Sequence, residues 1–69
     1  MTLIIKAYGL QPGDNFELNG NKRTVVRQTA LGADCGYGII IPKNVTVTVT
    51  GSTFPSRDKE IKNTVIGHQ

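Results

Sequence analysis

Apolar and polar residues alternate along most of this chain with the two-residue period of a half-buried strand. The clearest case is Val45-Thr46-Val47-Thr48-Val49-Thr50, with valines on one face and threonines on the other. Over residues 2–8, Leu3, Ile5 and Ala7 alternate with Ile4, Lys6 and Tyr8, and the apolar content of both faces predicts partial cover on the second. Phe16 and Leu18 alternate with Asn15 and Glu17, and a return strand over 23–29 carries Arg23, Val25 and Arg27 on one face. Ile39-Ile40-Ile41 is a short apolar run suited to a strand buried on both sides. Pro42 belongs at its end, because proline cannot donate to a ladder. Ile61, Asn63 and Val65 alternate with Lys62, Thr64 and Ile66 and read as a last strand, with helix as the alternative.

The punctuation agrees with these strands. Gln11-Pro12-Gly13-Asp14 is type II turn chemistry: proline presets φ at the second position and glycine accepts φ > 0 at the third. Asn19-Gly20 suits a type I′ hairpin turn, which needs φ > 0 at both central residues. Residues 32–38 hold three glycines and read as a flexible hairpin loop, and Lys43-Asn44 reads as a tight turn. Pro55 can open one helical or 3₁₀ turn, since its missing N–H costs nothing there. The pattern predicts an all-β fold: a small five- to six-stranded barrel, Src-homology-3-like, with at most one short helical turn and a single domain over 1–69. An OB-fold ranks second.

Length and composition narrow the means of holding such a fold. A chain of 69 residues buries only about 60% of the surface that its unfolded form exposes. One cysteine, Cys35, and one histidine, His68, offer neither an intrachain disulfide nor a zinc set. A tight barrel or a homo-oligomer is expected, with no cofactor and no metal. Leu3-Ile4-Ile5 is too short for a signal-peptide apolar region, and no stretch reaches the roughly 20 apolar residues of a membrane span. With an unpaired thiol, this predicts a reducing cytoplasm, and Asn44-Val45-Thr46 then reads as a turn-to-strand junction rather than a glycosylation site.

Eight Lys+Arg stand against five Asp+Glu, a net charge of +3. Between Leu18 and Ala33 the cations are Lys22, Arg23 and Arg27 with no acid, and between Cys35 and Arg57 there is again none. If Val26 points inward and Val25 outward, Arg23 and Arg27 form a cationic stripe about 7 Å apart, near the phosphate spacing of an extended backbone. The bland reading is a solvated face on which Glu17 pairs with the stripe across the hairpin. Tyr37 is the aromatic that a loop could present to a base, against simply lidding the barrel end. Lys22, Arg23, Arg27, Tyr37 and Lys43 are therefore the candidate nucleic-acid contacts.

Catalytic chemistry finds little footing. Asp34 beside Cys35 raises the thiol's pKa rather than lowering it. The loop over 32–38 lacks the following helix and the lysine of a phosphate cradle. Asp14 and Glu17, three apart on a strand, face opposite ways; Asp14 reads as a turn former and Glu17 as solvent-facing. The expectation is a non-catalytic module that binds nucleic acid or a nucleoprotein. The alternative is a protein-interaction or virion assembly module, or an inhibitor of a host protein, using the Val/Thr strand 45–50 as an exposed pairing edge.

Leu10-x-Pro12-Gly13-Asp14-x-Phe16-x-Leu18-x-Gly20, followed by Thr24-Val25-Val26, resembles the opening of small Src-homology-3-like β-barrel proteins encoded by bacteriophages. The resemblance implies that fold, a phage origin and the host cytoplasm. It implies no site. Gly38-Ile39-Ile40-Ile41-Pro42-Lys43 is similar to a segment of swapped-hairpin DNA-binding domains, but here the Gly-Asp strand precedes it and a strand, not a helix, follows.

Overall fold

The computed structural model describes residues 3–67, with side chains through Asn63; Thr2, the start of the first expected strand, and His68 lie outside them. Seven strands form two antiparallel sheets. The first has the order β1 (Leu3–Lys6), β7 (Thr46–Ser52), β2 (Asp14–Leu18), β3 (Asn21–Thr24). The second runs β4 (Arg27–Gln28), β5 (Gly32–Asp34), β6 (Ile40–Pro42). A 3₁₀ turn, Ala7–Gly9, follows β1, and α1 (Pro55–Gly67) ends the chain. The all-β body is as expected, but the strands make two sheets rather than one closed barrel.

The three predicted tight turns form, with Val45 N donating to Pro42 O (3.0 Å) across Lys43-Asn44. Asp14 N donates to Gln11 O (3.0 Å) with Gly13 at φ +87°. Asn19 and Gly20, at φ +54° and +81°, join β2 to β3 so that Leu18 faces Asn21, Glu17 faces Lys22, Phe16 faces Arg23 and Asn15 faces Thr24. The cross-strand partner of Glu17 is thus Lys22, not Arg23.

The valine face of β7 is the centre of the core. Val47 and Val49 meet Ile5 and Leu3 of β1 on one side, and Val49 meets Phe16 of β2 on the other. Phe16, Leu10, Val25, Val47, Val49, Ala33, Ile41 and Ile61 pack as one buried cluster. Thr46 and Thr50 stand in solvent, as the alternation requires. Because β7 is hydrogen-bonded to β1 and to β2, strand 45–50 is not the free edge that the alternative reading needed.

Three further expectations are corrected. The first concerns the return strand over 23–29, which breaks at its middle. Val25 stays with the first sheet, donating its N–H to Asp14 O (2.9 Å), whereas Val26 N donates to Asp34 O (2.7 Å) in the second. Val25 is 2% exposed and Val26 58%, the reverse of the register that a cationic stripe demanded. The corner puts the arginines on different sheets, Arg23 half-buried on the Phe16 side of the first and Arg27 exposed on the second.

The second correction concerns residues 32–41. Gly32, Ala33 and Asp34 are strand rather than loop, and Ile40 is exposed, so the isoleucine run is buried on one side only. The outer face of β1 also lacks the expected cover, with Ile4 and Tyr8 both exposed.

The third is the C-terminal segment, where the helix kept as the alternative to a last strand forms, and extends over 13 residues rather than a single turn. Pro55 takes its first position, and the run Arg57-Asp58-Lys59-Glu60 is rich in good helix formers. Lys62 pairs with Asp58 one turn back (2.8 Å). What commits the segment is tertiary. Ile61 enters the core at 1% exposure. Arg57 Nε and Nη2 donate to the two oxygens of Asp14, each at 3.1 Å. Asp14 is fully buried and also accepts from Gln11 N (2.9 Å), so its role far exceeds that of a turn former.

Candidate nucleic-acid interface

On β3, Lys22 and Thr24 share the outer face of the first sheet, while Arg23 lies on the side of Phe16. Thr24 Oγ1 donates to Asn15 Oδ1 (2.6 Å), and Thr50 Oγ1 donates to the Asn15 carbonyl (3.3 Å). Thr50 is the extra residue of a β-bulge, since Phe16 faces Val49 while Asn15 faces Gly51. These residues border an open groove of about 290 Å³ lined by Asn15, Phe16, Lys22, Arg23, Thr24 and Thr50. No carboxylate lines it. With Asn15 Oδ1 already accepting from Thr24, the amide N–H₂ of Asn15 remains as a neutral donor beside the two cations.

Four of the five acids are used internally: Asp14 and Glu60 by Arg57, Asp34 by Arg27, and Asp58 by Lys62. Among the described residues, Lys22 and Arg23 have no carboxylate within 4.0 Å. Glu17, opposite Lys22, is the one acid beside the groove.

Burial pushes the Cys35 thiol above its ordinary value; the nearby Arg23 charge opposes that, and Asp34 adds to it. The net effect leaves Cys35 a poor nucleophile. Cys35 stands just before the turn that joins β5 to β6. In that turn Ile39 N donates to Gly36 O (2.9 Å), Cys35 N donates to Ile39 O (2.8 Å), and Asp34 Oδ1 accepts from Gly36 N (2.8 Å). Tyr37 and Gly38 occupy its centre at φ +55° and +76°, a type I′ geometry. Tyr37 is fully exposed, so it lids nothing. Val26 flanks the turn on Gly36.

The remaining candidates lie outside the groove. Arg27 Nε is tied to Asp34 Oδ2 (3.0 Å) in the second sheet. Lys43 sits at the far end of the β5–β6 hairpin, donating its N–H to Leu31 O (3.3 Å) and accepting from Tyr8 N (3.1 Å). Lys22 and Arg23 thus border the groove, whereas Arg27, Tyr37 and Lys43 belong to the second sheet and the segments beside it. Asn15, Thr24 and Thr50 escaped the sequence reading. Asn15 and Thr24 sit at facing positions of a hairpin that was itself legible, whereas Thr50 joins them only through the bulge.

Among the described residues no group of three His, Cys, Asp or Glu side chains could hold a metal ion. No helix of the described chain is long and apolar enough to cross a membrane. Comparison with protein-family models, curated proteins and solved structures returned no match.

Proposed function

We propose that this chain is a non-catalytic binding module that holds the phosphate backbone of a nucleic acid in the groove beside β3. The observation that carries this reading is a groove lined by no carboxylate and bordered by two cations, Lys22 and Arg23, that form no ion pair among the described residues. A phosphate there meets the Lys22 ammonium, the Arg23 fork and the Asn15 amide, and gives up few competing contacts. Affinity of this kind comes from counterion release. The slope of log affinity against log salt is about 0.7 per phosphate contact on a single strand. Changing Lys22 and Arg23 together to Gln is therefore expected to weaken binding and flatten that slope by roughly 1.4, with the melting temperature little changed. Retention of the full salt dependence in that variant would place the contact elsewhere.

One observation favours a second reading. Val26, Tyr37 and Ile40 are all exposed around the same turn, an apolar cluster suited to a protein partner, including a virion component or a host protein. Salt separates the two, since apolar docking lacks the steep dependence of phosphate binding. The Gly-Asp opening shared in pattern with small phage barrel proteins supports a phage origin and action in a host cytoplasm under either reading.

A further inference from the structure

We infer that the groove beside β3 is made for a ribose, so that the nucleic acid it takes is RNA rather than DNA. This rests on the phosphate reading of the groove and adds to it the sugar of the strand. What decides is where two hydroxyl protons go. Thr24 and Thr50 both line the groove, and both are exposed. Each hydroxyl has one proton to give and two lone pairs to receive with. Thr50 Oγ1 lies 3.3 Å from the Asn15 carbonyl, which can only accept, so its proton is turned inward. Thr24 Oγ1 lies 2.6 Å from Asn15 Oδ1. That length suits an O–H···O bond and is shorter than N–H···O bonds ordinarily are, so this proton is turned inward too. Both threonines therefore show the groove lone pairs alone.

The groove thus has two kinds of wall. Lys22, Arg23 and the Asn15 amide N–H₂ offer only donors, and the Thr24 and Thr50 hydroxyls offer only acceptors. The donors match the phosphate oxygens. The acceptors need a donor on the ligand, and a DNA backbone has none, since its phosphate and sugar oxygens all accept. Laid here, it sets oxygen against oxygen or leaves both threonines to water. An RNA backbone carries one donor per nucleotide, the 2′-hydroxyl, by which a protein tells RNA from DNA at a given place. Lys22 and Thr24 share a face of β3 two residues apart, a rise of about 7 Å. A phosphate on Lys22 therefore brings the adjoining ribose over Thr24. Asn15 aims both acceptors, Thr24 through its side chain and Thr50 through its carbonyl.

The test uses fluorescence anisotropy with labelled oligouridylate, its deoxy form and its 2′-O-methyl form, which keeps the ribose oxygen and loses the proton. Wild type is compared with the double variant Thr24→Val with Thr50→Val, and with Thr24→Ser with Thr50→Ser. One hydrogen bond of ordinary net strength corresponds to binding roughly 2- to 12-fold tighter for RNA than for either analogue. The Val pair is expected to level the strands and keep the salt slope, since Lys22 and Arg23 are untouched. The Ser pair is expected to keep the preference. Each ratio is read on one protein sample, so any loss of folded protein cancels. Equal, salt-dependent binding of RNA and its deoxy form by wild type would overturn the ribose role and spare the phosphate reading. A 2′-O-methyl strand held as tightly as RNA would overturn it likewise, as would a preference that the Val pair retains. A wild type that holds none of the strands at low salt would remove the phosphate reading itself, and the ribose role with it.

Discussion

Tyr37 combines a conformational cost with complete exposure. Asn adopts the left-handed region more readily than an aromatic residue. Tyr37→Asn is therefore expected to stabilise the fold by about 0.5–1 kcal/mol, read as a rise in the urea midpoint at unchanged slope. An unchanged or lower midpoint would mean that the ring packs in solution. From sequence, Tyr37 was legible as a presented aromatic in a glycine-rich loop. Its φ was not, because Gly36-Tyr37-Gly38 is compatible with several turns until Cys35 and Ile39 pair.

At the scale of elements, α1 is the one whose identity depends most on the rest of the molecule. Its anchor is the bidentate pair of Arg57 with fully buried Asp14. The hydrogen bond to Asp14 is the main reason the Arg57 guanidinium holds its proton even more tightly than usual. Arg57→Leu strands a buried carboxylate without a counter-ion, for which the expected loss is about 3–5 kcal/mol. A domain of this size has roughly 3–10 kcal/mol in total, so the variant is expected to be largely unfolded on warming, by circular dichroism. Replacing Asp14 by Leu as well removes the uncompensated charge and is expected to recover part of the loss. A double variant no better than Arg57→Leu alone would show that the pair matters for geometry and not for charge.

Across the whole molecule, two small sheets act as one because Ala33 and Ile41 of the second share a core with Phe16 and Val49 of the first, and because the chain and a few polar contacts cross between them. The chain crosses at Val25-Val26 and returns from β6 to β7 through residues 43–45. Gln28 on β4 adds another, its side-chain amide donating to the carbonyls of Ala7 and Leu10, each at 2.7 Å. Both acceptors belong to the turn after β1, so this single side chain joins the edge of the second sheet to the first. Gln28→Ala leaves two part-buried carbonyls without that donor, and about 1–3 kcal/mol of stability is expected to go. Hydrogen exchange is the direct measurement, with β4 and β5 amides losing protection before those of β7. Uniform loss would mean that the sheets open as one unit.

Sequence by itself determined what depends on the backbone conformation of a few adjacent residues. Pro12-Gly13 and Asn19-Gly20 demand φ values that few other residues accept, so both turns, and with them the β2–β3 register, were legible. The inward valines and outward threonines of residues 45–50 follow from a side-chain period of two, whatever strands lie alongside. Only the tertiary structure decided which strands do lie alongside. The position of β7 between β1 and β2 removes its free edge, and the switch of sheet between Val25 and Val26 separates Arg23 from Arg27. The last segment has a weak alternation that fits a strand and a charge run that fits a helix. Asp14, 43 residues from Arg57 in sequence, decides between them, because a carboxylate buried by the fold of the sheets requires a cation. No local pattern encodes that requirement; it arises when the sheet closes over Asp14.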